Sequence, residues 1–278
     1  MFTYPEIDPI LIHFTETTGV RWYGLMYVVG FLSFLFLGKM RARRPHSPVK
    51  PDQVDDIMFY GAIGVIAGGR IGEMIFYQFD KLLSDPLLLF KLWEPGMSFH
   101  GGLIGVIVAM MLLARKWKLR SLQLGDFIAP MIPIGLGAGR MGNFINGELW
   151  GRPTDVAWGM VFPHVDNQAR HASQLYEVVG EGILLFLILW IFSKKVRPLG
   201  AVSGLFLLGY GIARSTVEFF RVPDNSDFLG IEWLTQGQLL SLPMIIAGIG
   251  LLVWAYRGKG SNNGSTMTNK AKKNGAKA

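Results

Sequence analysis

Long apolar runs separated by short polar segments dominate the chain. Seven runs have about 20 mostly apolar residues, the length that an α-helix needs to cross a membrane: 22–40, 57–77, 97–114, 124–147, 175–193, 200–219 and 238–256. The pattern predicts an all-α integral membrane protein whose seven transmembrane helices form one domain over residues 1–256. Two longer outer segments, 148–174 and 221–237, are expected to form a small head or lid.

Lysine and arginine are distributed unevenly between the two sides of the predicted helices. Most of the 27 lysines and arginines follow the first, third, fifth and seventh runs. Because cytoplasmic segments carry the excess of positive charge, the amino terminus is predicted outside and the carboxyl terminus in the cytoplasm. This bias accounts for the net charge of +7, so no nucleic-acid partner is implied. The polar, lysine-rich cytoplasmic tail, residues 257–278, is predicted to be disordered.

Cysteine and histidine limit the chemistry that the chain can perform. The absence of cysteine excludes disulfides, a catalytic thiol and thiolate metal ligands. The five histidines lack the spacing of a metal site. We therefore expect neither a metal nor another cofactor.

Three arginines lie inside predicted helices: Arg70, Arg140 and Arg214. Each lies five to seven residues from the outer end of its helix, which is roughly 8–10 Å below the interface at 1.5 Å per residue. His100 and Tyr23 open two further helices from the outer side. Charged side chains inside a membrane are expensive and are functional candidates by default. The pattern predicts that these five polar residues share one layer near the outer surface.

A purely structural interpretation of the arginines is that each pairs with an acid and holds helices together. That interpretation requires a comparable set of buried acids. Several of the six candidates are expected to face loops instead. The candidates are Glu73, Asp126, Glu148, Glu177, Glu181 and Glu218.

Glycines recur at spacings of four along three of the runs. Such small-residue spacings are typical of close packing between membrane helices. Most of the glycines in these pairs are therefore interpreted as packing residues: Gly64–Gly68, Gly68–Gly72, Gly101–Gly105 and Gly135–Gly139.

Arginine suits a phosphate because its planar guanidinium donates two parallel charge-assisted hydrogen bonds. An anion held by arginines in the outer leaflet is most simply a phospholipid headgroup. His100 has two interpretations, as a hydrogen-bonded structural residue or as a base.

Two other classes of protein also place arginines between membrane helices. A lipid or organic-anion transporter requires polar residues that continue into the cytoplasmic half, but the inner halves of the first, third, fifth and seventh runs are nearly free of charge. A structural scaffold requires that every arginine be ion-paired and that the outer segments carry a partner surface. Whether every arginine is ion-paired is therefore the feature that distinguishes a structural scaffold from the other classes.

At this point the chain resembles the prolipoprotein diacylglyceryl transferases of bacterial inner membranes. The most specific motif is Gly-Arg-Met-Gly-Asn-Phe-Ile-Asn-Gly-Glu-Leu-Trp-Gly-Arg at 139–152. Family members usually have proline where this chain has Ala172. The replacement of proline by alanine removes a rigid turn but no group with a chemical role. Further matching segments cover nearly the whole length: 22–27, 68–72, 96–102, 170–177, 209–214 and 218–221.

The resemblance implies an enzyme of lipoprotein maturation. Its substrates are phosphatidylglycerol and the signal peptides of prolipoproteins, and membrane lipid surrounds it. The diacylglyceryl group moves to the lipobox cysteine thiol, a thioether forms, and glycerol phosphate leaves. The expected location is the bacterial inner membrane, with the active site toward the periplasm.

The resemblance also implies roles for individual residues. Arg140 and Arg214 are the expected phosphate-binding catalytic residues, and His100 is the candidate base for the thiol, although the field of the arginines is an alternative means of ionising it. Four further residues are expected mainly to form ion pairs that hold these catalytic residues in place: Arg70, Glu148, Glu177 and Glu218. The expected substrate-binding residues are Tyr23, Arg70, Asn143, Asn146, Glu148, Gly151 and Tyr210.

Overall fold

A computed structural model describes residues 2–15, 18–91, 94, 96–223 and 235–258. Most of the outer segment 221–237 and nearly all of the tail 257–278 lie outside the described residues, so the head role of the former and the disorder of the latter stay predictions. The chain forms two compact units, residues 1–37 with 128–278, and residues 38–127.

The smaller unit, residues 38–127, is built around two long helices. A connection that contains one short helix and one 3-10 turn joins them. Beyond residue 42 its elements are α2 (Gln53–Phe76), α3 (Phe79–Ser84), the 3-10 turn Pro86–Phe90, α4 (Phe99–Lys116) and α5 (Ser121–Ile128).

Glycines bring the backbones of α2 and α4 into direct contact. A Cβ on Gly105 would lie 2.0 Å from the carbonyl oxygen of Gly64, and one on Gly68 would lie 2.3 Å from that of Gly101. The two pairs run in opposite order along the helices, so α2 and α4 are antiparallel. The predicted small-residue packing is confirmed for these four glycines and for Gly72.

The larger unit, residues 1–37 and 128–278, contains most of the helices in the described part of the chain. One continuous helical stretch changes from α to π and back. The helices are α1 (Trp22–Ala42), α6 (Ile132–Ile145), α7 (Ser173–Glu177), the π segment (Val178–Leu184), α8 (Leu185–Phe192), α9 (Ala201–Val217) and α10 (Gln236–Tyr256).

The two glycines of the fourth predicted spacing, Gly135 and Gly139, do not contact the π segment. A Cβ on Gly135 or Gly139 would meet no described atom within 4 Å, whereas one on Gly137 would lie 3.1 Å from the Cα of Gly182 in the π segment. Two residues turn an α-helix through about 200°, so Gly135 and Gly139 face away from that contact. A Cβ on Gly30 of α1 would, however, lie 3.4 Å from the Cα of Gly135, so Gly135 packs against α1. No contact of a described atom supports Gly139 as a packing residue, and Gly137 is the glycine at the crossing with the π segment.

The outer segment 148–174 folds together with the amino-terminal residues. β1 (Phe2–Thr3) pairs with β4 (Met160–Val161), which pairs with β5 (Ala169–Arg170), and a separate hairpin joins β2 (Ile10–His13) to β3 (Gly19–Arg21). Tyr4 is 5% exposed and stacks on Phe162. The segment predicted to form a small head therefore belongs to a β layer to which the amino terminus contributes, a partner that the hydrophobic pattern did not indicate.

Helices occur in all seven predicted runs, as expected for an all-α membrane protein. Among the described residues, five helices are long and apolar enough to cross a membrane, α9 is a shorter apolar helix, and a 3-10 turn at Ala129–Met131 interrupts the fourth run. Pro130 and Pro133 flank Met131 and lack the amide hydrogen that an unbroken helix needs. The crossing of all seven runs and the orientation of the termini stay predictions.

Candidate active site

Arg140 and Arg214 meet on one shared carboxylate, that of Glu177. The Nη1 atom of Arg214 donates a hydrogen bond to Oε1 of Glu177 at 2.6 Å, and Nε of Arg140 lies 3.4 Å from Oε2. Glu177 is fully buried, whereas the side chains of Arg140 and Arg214 are 22% and 12% exposed. The acid therefore lies behind two cations whose outer edges remain accessible.

The helix packing of the larger unit explains why these side chains meet. Gly137 and Gly182 let α6 and the π segment approach closely, and Arg140 lies one turn beyond Gly137. α9 packs antiparallel to the same stretch, with Gly180 facing Ala213. The end of α6, the start of α7 and the end of α9 thus lie at one end of the unit.

A second acid, Glu218, completes the support of Arg214. Its Oε2 lies 3.0 Å from Nη2 of Arg214, four residues earlier on the same helical surface. Glu218 is 4% exposed and lies against Gly237 of α10, where a Cβ would lie 2.7 Å from its carboxyl carbon. Arg214 is therefore held from two sides, by α7 and by its own helix.

The structure supplies the buried acids that a structural interpretation of the arginines requires. Glu177, Glu181 and Glu218 are all buried beside Arg140 or Arg214, while Glu148 is exposed. In the described part of the chain, however, the guanidinium of Arg140 makes no hydrogen bond, and its closest contacts with the acids involve only Nε. Pairing fixes the position of this arginine and leaves its terminal nitrogens available as donors.

Two charged residues of this region were not among the predicted site residues. Glu181 lies with its Oε2 3.9 Å from Nε of Arg140. Arg221 is 5% exposed, and its charge acts on Glu181. In the sequence, Glu181 was only one of six candidate acids, and Arg221 occurred only within the matching segment 218–221, so neither residue was assigned to the site.

Asn143 and Asn146 are both held by the carboxylate of Glu148. The Nδ2 atom of Asn143 donates to Oε2 at 3.3 Å, and that of Asn146 donates to Oε1 at 2.9 Å. The intervening turn uses positive φ at Gly147 and Leu149. Oδ1 of Asn146 is buried and accepts no hydrogen bond from any described residue. Glu148 therefore orients the amides and leaves one acceptor oxygen unsatisfied.

The two predicted tyrosines also belong to the larger unit. The ring of Tyr23 covers Gly142, where a Cβ would lie 2.8 Å from its Cδ2. Tyr210 on α9 interacts electrostatically with Arg140, Arg214, Glu177 and Glu181. Tyr23 therefore packs beside the 139–152 motif, and Tyr210 lies among the charges of the cluster.

Gly151 is enclosed by backbone. Its amide donates to the carbonyl oxygen of His171, its own carbonyl accepts from Arg170, and a Cβ would lie 2.5 Å from the carbonyl oxygens of His171 and Phe220. This contact gives a structural reason for glycine at the position. A role in substrate binding stays a prediction.

His171 belongs to an aromatic group at the start of α7. Trp158 donates through Nε1 to the hydroxyl oxygen of Tyr176 at 2.9 Å, and that hydroxyl lies 3.0 Å from Nδ1 of His171. Which of Tyr176 and His171 donates in the second contact depends on the tautomer of the imidazole. Burial lowers the pKa of His171, in keeping with a neutral ring.

The predicted site residues of the smaller unit have very different environments. Arg70 is 2% exposed and donates to the carbonyl oxygens of Leu88, Glu94 and Gly96, so it holds the connection between α3 and α4. His100 is exposed in the first turn of α4, where Ser98 caps the helix. Within the described residues, no hydrogen bond restrains its ring, and its role as a base stays a prediction.

Comparisons with known proteins agree on one family. A sequence model described as prolipoprotein diacylglyceryl transferase matches residues 9–254. The chain is 58% identical over 260 residues to the phosphatidylglycerol–prolipoprotein diacylglyceryl transferase of Nitrosospira multiformis, covering 92% of this chain and 89% of the relative. Identity to the protein of that name from Pseudoalteromonas atlantica is 56%, over 98% of both chains. A relative of that name from Legionella pneumophila is 53% identical over 92% of this chain and all of its own length.

Proposed function

The chain belongs to the prolipoprotein diacylglyceryl transferase family, and we propose that Arg140 and Arg214, held by Glu177, bind the phosphate of phosphatidylglycerol during the reaction. The protein is an enzyme that transfers the diacylglyceryl group of phosphatidylglycerol to a prolipoprotein, the first step of lipoprotein maturation. The acceptor is the lipobox cysteine thiol, and the products are a thioether and glycerol phosphate.

The reaction is a displacement at the C3 carbon of the glycerol that carries the acyl chains. A C–S bond forms, the bond between C3 and the phosphate oxygen breaks, and its electron pair stays with the phosphate. The thiol proton is balanced by the proton that the glycerol phosphate product takes up. Negative charge therefore builds on a phosphate oxygen in the transition state, where fixed cationic donors are most effective.

The shared contact on Glu177 is the observation that carries the proposal. One buried carboxylate fixes the positions of two guanidinium groups that come from different helices. Donors that are already in place reorganise little when charge develops, which is the basis of electrostatic catalysis. The unbonded terminal nitrogens of Arg140 among the described residues supply the two parallel donors that suit a phosphate.

The amides held by Glu148 suit the uncharged part of the headgroup. Oδ1 of Asn146 is a buried acceptor without a donor among the described residues. A free hydroxyl of the phosphatidylglycerol headgroup supplies such a donor, because a hydroxyl both donates and accepts. We assign Asn143 and Asn146 to headgroup recognition, with Tyr23 and Tyr210 beside them.

The acceptor thiol needs help to ionise, since its reference pKa is near 8.5. His100 is the proposed base, and its ring, which is exposed and makes no hydrogen bond to a described residue, is accessible for that role. The alternative is that the field of the arginines suffices. Substitution of His100 distinguishes the two, because a purely electrostatic mechanism tolerates glutamine at that position.

The proposed setting is the bacterial inner membrane, with the catalytic end of the helices toward the periplasm and lipobox signal peptides approaching within the bilayer. Five long apolar helices and the antiparallel order of the helices within each unit support a multi-pass arrangement. The excess of lysine and arginine in alternate segments supports the orientation.

A transfer assay with purified protein tests the proposal. Enzyme in detergent–lipid micelles is mixed with phosphatidylglycerol and a lipobox peptide, and mass spectrometry measures the diacylglyceryl increment on the peptide cysteine. By analogy with the loss of an oxyanion donor, Arg140→Ala and Arg214→Ala should each lower the rate about 10²–10³-fold. Arg115→Ala, at the exposed end of α4, is the matched control and should retain the wild-type rate.

Each outcome has a distinct meaning. Full activity in folded Arg140→Ala and Arg214→Ala would contradict the proposed phosphate site. Product from His100→Gln at the wild-type rate would leave that site intact and assign ionisation of the thiol to the arginines. No product from any folded sample, with lipid still bound, would favour a lipid carrier.

A further inference from the structure

Glu181 is a buried acid to which the proposed reaction assigns no role. It is 0% exposed, and neither of its carboxyl oxygens has a hydrogen-bond partner among the described residues. Burying a carboxylate without donors is costly, so such a residue in a folded protein requires an explanation. Its nearest cation is Arg140, whose Nε lies 3.9 Å from Oε2.

The π segment explains how two acids of one helical stretch reach the same arginine. Glu177 immediately precedes this segment and Glu181 lies in its middle. The wider turn of a π-helix brings positions four apart closer to alignment than an α-helix does, and such segments are frequent at functional sites. Both carboxylates therefore approach Nε of Arg140 from the same side.

The closest contacts of Arg140 with the buried acids are made by its Nε, and its guanidinium makes no hydrogen bond to a described residue. Glu177 and Glu181 lie 3.4 Å and 3.9 Å from Nε. The edge formed by the two terminal nitrogens can donate two parallel hydrogen bonds to an anion. A second carboxylate beside Nε adds to the attraction that holds this nitrogen, and with it the guanidinium, in place.

Other charged groups surround Glu181 without making this contact. Arg214 and Tyr210 approach from α9, and the charge of Arg221 also acts on Glu181. Glu177 already takes the close contact with Arg214, and Glu218 takes its other side. Among the described residues, Arg140 is the only cation within ion-pair distance of Glu181. The other two acids both contact Arg214.

We propose that Glu181 is a positioning residue that acts through Arg140. With Glu177 it holds the Nε edge of Arg140, so that both terminal nitrogens face the phosphate of phosphatidylglycerol. The inference rests on the proposed phosphate site and adds a residue to it. It requires that the effect of Glu181 depend on the presence of a guanidinium at position 140.

A double-mutant cycle with steady-state kinetics tests this dependence. Glu181→Gln keeps the shape of the side chain and removes its charge, and Arg140→Lys keeps the charge but removes the planar fork. We expect Glu181→Gln to lower kcat/KM for phosphatidylglycerol about tenfold in the wild-type background. In the Arg140→Lys background the same change should lower kcat/KM for phosphatidylglycerol less than about twofold. KM for the peptide should not change.

The matched control is Glu218→Gln, which removes a neighbouring buried acid that contacts Arg214 instead. Its effect should multiply with that of Arg140→Lys. Size-exclusion and thermal melting establish that each variant is folded. Where Glu181→Gln does not fold, Glu181→Asp takes its place, because its shorter side chain withdraws the carboxylate from Nε.

Multiplicative effects of Glu181 and Arg140 substitutions would overturn the inference, as would wild-type kinetics in both Glu181 variants. Those results leave the proposed phosphate site standing as long as Arg140→Ala and Arg214→Ala remain inactive. If those two alanine variants are active in folded protein, the proposed function itself fails. The two failures are therefore distinguishable.

Discussion

At the scale of single residues, one acid organises the candidate site. Glu177 contacts Arg140 and Arg214 at once, although the three residues come from different helices. Removal of one partner from a buried ion pair leaves an uncompensated charge, which typically costs about 3–5 kcal/mol. The stability and the chemistry of the larger unit therefore depend on the same side chain.

Glu177→Gln tests this double role. We expect the melting temperature of the purified protein to fall and the transfer rate to drop at least tenfold, because both guanidiniums lose their common anchor. Thermal melting and the peptide transfer assay measure the two effects. Glu6→Gln, on an exposed acid, is the control and should change neither. A variant with wild-type stability and rate would contradict the role assigned to Glu177.

A substitution at Ala172 is predicted to raise the stability of the protein instead of lowering it. Its φ of −78° lies within the range of proline, and its amide donates to no acceptor among the described residues. Ala172→Pro, which restores the residue usual in the family, should stabilise the protein by about 0.4–1 kcal/mol through the unfolded state. A higher melting temperature with an unchanged transfer rate is expected. A lower melting temperature would show that the turn does not accommodate the proline ring.

The sequence identified Arg140 and Arg214 because a charge inside an apolar run stands out. It did not identify which acids face them, because that depends on the rotation and crossing of helices. Glu177 was assigned a supporting role, whereas Glu181 was only one of six candidate acids. The resemblance to a known family added residues such as Asn143 and Asn146, whose arrangement around Glu148 only the structure shows.

At the scale of elements, direct backbone contact between α2 and α4 defines the smaller unit. A Cβ on Gly105 would lie 2.0 Å from the carbonyl oxygen of Gly64, so the helices must separate to admit it. Gly105→Ala should therefore destabilise the protein by about 1–3 kcal/mol, as overpacking does. Thermal melting measures the change.

Gly61→Ala on α2 is the matched control. Its added Cβ would lie 3.8 Å from the nearest described atom, so the higher helix propensity of alanine should leave stability unchanged or improved. Equal melting temperatures for Gly105→Ala and the wild type would contradict the close crossing.

Element positions followed from hydrophobicity, but element details did not. The seven predicted runs coincide with helical stretches because length and apolarity determine them. The π segment has no apolar signature, since its hydrogen bonding depends on how Gly182 meets Gly137. The head was predicted only from the outer segments. The contribution of the amino terminus was not predicted, because a two-residue strand such as Phe2–Thr3 is too short to show a periodicity.

At the scale of the whole molecule, the orientation in the membrane is open to a direct test. The chain has no cysteine, so single cysteines can be introduced and labelled without background. A cysteine at Asp155 in the outer segment should react with a membrane-impermeant maleimide in intact spheroplasts. One at Ser265 in the tail should react only after permeabilisation. The reverse pattern would overturn the predicted orientation.

The central claim is that two guanidinium groups bind the phosphate as forks and not merely as positive charges. The most direct measurement is the rate of diacylglyceryl transfer to a lipobox peptide by Arg140→Lys and Arg214→Lys, which keep the charge and lose the fork. The account predicts at least a tenfold loss for each variant in folded protein. Wild-type rates in both lysine variants would contradict it.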